Sequence, residues 1–401
     1  MKKVVILLTM ISFAMSSGAH ADVNEEILKE LRALKARVIE LEAKVDQYER
    51  KDMAHGHDDH SSEAEHLAGG HDDAKWGPFS GHDHSGLTSR DITVHGGVDL
   101  RYTDQQDVES DATLQEAEIA VEAKLADWLV GFVSVTKEDG EEAAVEEAYG
   151  EFLFDDYNVR AKAGKFFVPF GSLNEREFFD RRTITRSPVE EDMFGEEPWI
   201  DTGATAHFLV PEDLDDWTFQ FIVGAFNGDN EASFGDDDEN TSESNDNFPF
   251  LARYQQAYEG DSFSFTSGLS FAHGKSDVNE DLETQLKGVD LNLTIGSWDI
   301  EAEFIHRKKE ENFNTVDWGY GFDISTSYFI PLNYKYVESM ELLFAYGMSD
   351  PTESTEKTRY APQISFGLTE NTKLRFIYEF LEEEPTDTDN DRFITQFAFH
   401  F

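Results

Sequence analysis

Apolar and polar residues alternate at a period of two through most of the chain, in segments separated by polar loops. In ITVHGGVDLRY (92–102), Ile92, Val94, Val98, Leu100 and Tyr102 share one face, while Thr93, His95, Asp99 and Arg101 share the other. WTFQFIVGA (217–225), WDIEAEFIHR (298–307), TKLRFIYEF (372–380) and the last ten residues, RFITQFAFHF, repeat the pattern. Period two is the signature of a strand with unlike faces. Sixteen such segments can be counted from Ile92 onward. Their connections alternate between short turns (126–127, 155–156, 211–216, 257–261, 296–297, 329–334, 369–371) and longer loops (103–113, 137–144, 168–201, 226–248, 274–287, 308–316, 347–357, 381–391). A soluble sandwich has no reason to sort its loops in this way. A transmembrane barrel does, because it carries short turns at one rim and long loops at the other. The predicted fold is therefore an all-β barrel of 16 antiparallel strands over residues 91–401, with Phe401 closing the last strand at the periplasmic rim.

The period changes ahead of the barrel. Residues 1–21 read as a signal peptide, with Lys2 and Lys3, an apolar stretch and Ala19-His20-Ala21 as the cleavage site. Within 22–50, a heptad seam places Leu31, Val38 and Val45 at a and Ile27, Leu34, Leu41 and Tyr48 at d, which predicts a short periplasmic α-helical coiled coil. An amphipathic helix lying on its own domain is the alternative. Val at a with Leu at d leans toward dimers. Residues 51–90 have no apolar period. They are rich in Gly, Asp, Ser and His and read as a flexible linker. His55, His57, His60, His66, His71, His82 and His84 lie in it. Neutral imidazole suits zinc and other divalent cations. The spacing is not that of a structured zinc domain and there is no cysteine, so the expected binding is weak and exchangeable, and no cofactor is required.

Composition narrows the function. The chain has 83 acidic and 33 basic residues and a formal net charge of −50, which repels nucleic acid. It also has 33 phenylalanines alongside 29% charged residues, a combination natural to a barrel with an aromatic outside and a wet inside. Beyond the signal peptide, no apolar run approaches the ~20 residues of a membrane helix. The expected location is the outer membrane of a Gram-negative bacterium, in contact with its lipid. The sequence contains no G-x-S-x-G, H-E-x-x-H or Walker loop, so no enzyme is predicted.

The segment VRAKAGKFFVPFG (159–171) resembles the Gly-Lys/Gln-aromatic-x-x-Pro-Phe-Gly signature of the phosphate-selective porin O/P family. GAFNGD (224–229) and GLSFAHG (268–274) resemble its later strand ends. Together with the heptads, the barrel also resembles the coiled-coil-bearing siderophore or metal porins near that family. The resemblance implies a trimeric channel without a plug domain, and a third loop that folds inward to narrow the pore.

Alternation places Arg101, Lys124, Arg160, Lys162, Arg253, Arg307, Arg359, Lys373, Arg375 and Arg392 in the lumen. It places Asp99, Glu116, Glu118, Glu122, Glu147, Glu151, Asp290, Asp299, Glu301, Glu303, Asp323, Glu341 and Glu379 there too. This lining is mixed, whereas a dedicated phosphate pore should show a basic ladder. The candidates for a pore constriction are Arg160, Lys162 and Lys165 on the strand leading into the third loop, with Arg176, Arg181, Arg182, Arg186, Glu190 and Glu191 within it. Two readings stand for the loop charges: a transverse field across a constriction, or salt-paired packing. The expected function is passive diffusion of small hydrophilic solutes or ions, with a link to divalent metal uptake. The alternative is a structural protein tethering membrane to cell wall through its coiled coil.

Overall fold

The computed structural model describes residues 87–89 and 92–401, except 107, 109, 177, 196, 211–215, 229–247, 261, 276–281, 312–314, 353–355 and 386–389. The predicted signal peptide, the coiled coil and all seven linker histidines lie outside the described residues.

The strands are β1 (Leu87–Ser89), β2 (Ile92–Gln105), β3 (Asp111–Ala126), β4 (Leu129–Glu138), β5 (Ala144–Phe154), β6 (Val159–Phe167), β7 (Ile200–Val210), β8 (Trp217–Phe226) and β9 (Phe250–Glu259). They continue with β10 (Phe263–Lys275), β11 (Leu282–Ile295), β12 (Trp298–Glu311), β13 (Thr315–Tyr334), β14 (Val337–Asp350), β15 (Glu356–Thr369), β16 (Thr372–Glu384) and β17 (Arg392–His400). From β2 to β17, each strand pairs antiparallel with its neighbours in sequence. β17 returns to β2 in a register running from Arg392 opposite Gln105 to His400 opposite Gly97, so the sixteen strands form a closed barrel. Closure leaves no sheet edge. Where β17 ends, β1 takes over the same side of β2, pairing Leu87–Ser89 with Ile92–Val94.

The short turns have simple local causes. A 3₁₀ turn at Asp155–Tyr157 ends on Asn158 at φ 53, a left-handed position that Asn tolerates. The turn expected at 329–334 lies instead between Tyr334 and Val337, because β13 continues through a register shift between Pro331 and Tyr334. Five loops expected to be long are six residues or fewer. The connections after β2, β4, β10, β12 and β14 shrink because the ladder continues into polar and charged sequence: Thr103 pairs with Asp111, Glu283 with Glu310, and Ser349 with Lys357. Apolar alternation marks only part of each strand. Hydrogen bonding carries the strand beyond it.

The two faces are sorted as alternation requires. Ile119, Val121, Phe221, Leu269, Val289, Phe304, Phe344 and Phe380 are exposed on the outside, while Asp99, Arg253, Asp290, Glu301, Arg359 and Glu379 are buried inside. No helix among the described residues is long and apolar enough to cross a membrane.

Candidate functional site

The lumen is occupied by the segment between β6 and β7, which folds into the barrel. Asn174 fastens its two ends together: the side-chain amide donates to the carbonyls of Val168 (2.8 Å) and Trp199 (3.0 Å) and accepts from the Trp199 N–H (2.7 Å). Gly171, at φ 70, turns the chain against Glu303 with no room for a side chain. From there the loop crosses to the far wall. Glu303 on β12 accepts from the N–H groups of Ser172 (2.8 Å) and Leu173 (3.0 Å). Further along, Gln363 on β15 accepts from the Ile184 N–H (3.2 Å) and donates to the Arg182 carbonyl (2.8 Å).

The loop holds one short helix, α1 (Pro188–Phe194), with proline at its start and a capping box in which Ser187 and Glu190 each satisfy the other's backbone N–H. It lies against β13 and β14. Its apolar side extends a buried cluster in which loop residues Phe170, Val189, Met193, Phe194 and Trp199 pack on wall residues Phe166, Phe226, Leu251, Leu286 and Ile305. The loop is therefore held by a core of its own as well as by charge.

The basic side chains of the far wall serve this loop. Arg375 donates to the carbonyls of Arg181 (2.7 Å) and Phe178 (3.2 Å), and Lys373 donates to that of Phe179 (3.2 Å). Arg307 donates to the Asp192 carbonyl (2.7 Å), and Lys357 pairs with the Asp192 carboxylate (2.7 Å). Arg359 donates to the Thr185 hydroxyl (2.9 Å) and pairs with Glu379, which also holds Arg392 and Thr185.

The predicted constriction residues divide into groups. Arg160 and Lys162 face the lumen from β6, and the Lys162 ammonium sits 4.2 Å from the Tyr149 ring centroid. Lys165 does not join them. It pairs with Ala148 on the outward face and donates to the Val145 carbonyl (2.9 Å), because an odd spacing from Lys162 puts it on the other side of the strand. Arg176 and Arg182 are ion-paired to Glu301, Arg182 at 3.2 Å. Arg186 pairs with Glu190 (3.6 Å) and donates to the Gly195 carbonyl (2.8 Å). Burial alone would push the Glu190 carboxyl up, but Arg186, Arg181, the Ser187 N–H and Arg359 outweigh it and hold the group below the ordinary carboxylate range. Glu191 is exposed. Arg176, Arg181, Arg182 and Glu190 meet around a small cavity of about 20 Å³ with Glu301 and Asp323. Salt-paired packing therefore accounts for Arg176, Arg182 and Arg186. Arg181 differs: its Nε donates to the Arg176 carbonyl, and the guanidinium is within electrostatic range of Glu116 and Glu146 on the opposite wall.

Strict alternation misses Glu146. Between the Val133–Ala148 and Val135–Val145 pairs, Ser134 alone faces both Glu146 and Glu147, and its hydroxyl accepts from the Glu147 N–H (3.0 Å). Such a bulge turns two successive side chains toward one side. Adjacent glutamates in an otherwise alternating segment were the available signal.

No family model matches the chain, and neither does any curated protein. Solved structures do. OmpT of Vibrio cholerae, an outer membrane protein in its trimer form, is 10% identical over 77% of this chain and 99% of that one, with a TM-score of 0.55. An anion-selective porin from Comamonas acidovorans is 12% identical over 77% and 99%, with a TM-score of 0.55. The outer membrane channel DcaP of Acinetobacter baumannii is 12% identical over 79% and 99%, with a TM-score of 0.53. The likeness is one of fold.

Water access is uneven around the lumen. Most inward side chains from β9 to β17 are closed off under the loop: Arg253, Glu303, Arg359, Glu379 and Gln396 are buried, while Asp299, Glu341, Lys373 and Arg392 are only partly so. On β3, β5 and β6, the inward Glu116, Glu122, Glu146, Glu151, Arg160 and Lys162 keep part of their surface open. Among the described residues, no three acidic or histidine side chains converge as metal ligands.

Proposed function

We propose that the chain is an outer-membrane porin of a Gram-negative bacterium, assembled as a homotrimer and passing small hydrophilic solutes and ions by passive diffusion. The observation that carries this reading is the uneven access of the lumen. The third loop covers most of the wall from β9 to β17, and a run of partly exposed charged side chains remains on β3, β5 and β6, where a water-filled path can run beside the loop. The trimer rests on the family resemblance and on a fold shared with a barrel described in trimer form.

A phosphate-specific role receives less support, because the basic residues of the far wall are engaged with the loop rather than set out as a ladder. The link to divalent metal rests on the linker histidines alone. Calorimetry on a peptide covering 51–90 tests it: weak zinc binding lost on His→Ala substitution supports the link, and no binding at millimolar zinc ends it.

Conductance in planar bilayers tests the channel. Stepwise conductance from the purified, folded chain is the expected result. A folded chain that inserts and conducts nothing would favour the tethering alternative, in which the loops close the lumen.

A further inference from the structure

The two walls of the lumen differ in charge as well as access. Basic residues of the far wall hold the loop. On the near side, Arg101 is tied to Asp99 and Lys162 sits over aromatic rings. The carboxylates of Glu116 and Glu118 on β3 and Glu146 on β5 have no hydrogen-bonding or ion-pairing partner within the described structure. Glu116 and Glu118 lie two residues apart on one face, roughly 7 Å along the strand. Glu146 is turned toward them by the bulge opposite Ser134. Glu118 is only 8% exposed, yet no donor reaches it. A carboxylate without a protein donor, on a residue so largely enclosed, needs a counter-charge or water to compensate it. The loop sets Arg181 near Glu116 and Glu146, and Asp180 beside it adds another carboxylate near Glu118.

We infer that the path beside β3–β5 is selective for small monovalent cations over anions, with Glu116, Glu118 and Glu146 as the residues that set the preference. This deepens the channel reading and rests on it. A diffuse row of carboxylates facing one guanidinium attracts mobile cations without fixing them, which suits permeation better than tight binding. The same geometry sets this chain apart from a phosphate pore, in which the surplus charge along the path would be positive.

The test uses the purified full chain in bilayers of neutral lipid with a potassium chloride gradient at neutral pH. The reversal potential is expected to show potassium permeating several-fold better than chloride. In the combined Glu116→Gln, Glu118→Gln and Glu146→Gln variant, the ratio should fall toward one while single-channel conductance persists. Arg181→Ala should move it the other way. Heat-modifiable gel migration confirms that each variant is folded, and Glu118→Gln alone, the smallest change, should already lower the ratio. A conducting wild type that prefers chloride would overturn the inference and leave the channel reading standing. So would an unchanged ratio in the glutamine variants, which is also the result expected if these carboxyls carry no charge in the lumen. Absence of any conductance would sink the channel reading itself, and this inference with it.

Discussion

Glu303 shows how much one inward carboxylate can hold. It receives the Ser172 and Leu173 N–H groups, with the Ser172 hydroxyl at 3.3 Å, and Glu303 itself is 1% exposed. Hydrogen bonds to a charged acceptor contribute about 1.5–3 kcal/mol each. Glu303→Leu should therefore loosen the start of the loop by about 3 kcal/mol or more. Hydrogen exchange at Ser172 and Leu173 reads this directly, and unchanged protection would assign the anchoring elsewhere. Glu190 gives a prediction with a definite sign. Its folded carboxyl is held below the ordinary carboxylate range, so its contribution is present above the unfolded value and is lost as pH falls through the folded one. Protection of residues 188–195, corrected for intrinsic exchange, should persist from neutral pH through the ordinary carboxylate range and drop below it. Glu190→Gln should show the loosened state already at neutral pH. Equal protection at strongly acid pH would mean that the capping box and Arg186 do not depend on the charge.

The third loop behaves as a small domain laid inside the barrel. Asn174 is 1% exposed and makes three bonds to the backbone at the loop's two ends. Asn174→Ala strands buried carbonyls and one N–H, at about 1–3 kcal/mol per group. Trp199, fully buried between Phe170, Phe194 and Phe226, should cost about 3–5 kcal/mol on replacement by Ala. Either change should leave the barrel's strand content by circular dichroism intact while raising exchange across 168–199 and adding flicker to single-channel records. A loss of strand signal would show that loop and barrel fold as one unit. This element was only partly legible in the sequence. Alternation located β6 and β7 and sorted nearly every inward charge, because a strand's period fixes its faces. The path of the loop has no period: Val189, Met193, Phe194 and Trp199 form a core only through contact with wall residues more than twenty positions away. Lys165 could have been placed from its parity alone. Glu146 needed the bulge, and that depends on the pairing partner rather than on β5 itself.

At the scale of the whole molecule, the fold depends on β2 being covered along both sides. β3 pairs along one side, while β17 and then β1 cover the other. The junction is made by the last residue: Gly96 donates to the Phe401 carbonyl (3.1 Å), and Phe401 donates to the Gly96 carbonyl (2.9 Å). The C-terminal alternation of Phe393, Phe397 and Phe399 outward with Ile394, Gln396 and Ala398 inward is the seam that closes the barrel. A seam strand is formed late in any closure, because its two partners come from opposite ends of the chain and must pay the largest loop entropy. Deleting Phe401 removes two backbone bonds and leaves Gly96 facing an open edge, a site for mispairing. Introducing proline at Thr88 disturbs only the three-residue β1. The expected order of effect follows from these positions. The heat-modifiable folded band should be lost at a lower temperature in the Phe401 deletion than in wild type, with more unfolded or aggregated chain on refolding. Thr88→Pro should fall between the two or match wild type. A Phe401 deletion that refolds and melts like the full chain would show that the register of Arg392–His400 alone closes the barrel, and that the final residue is dispensable to the seam.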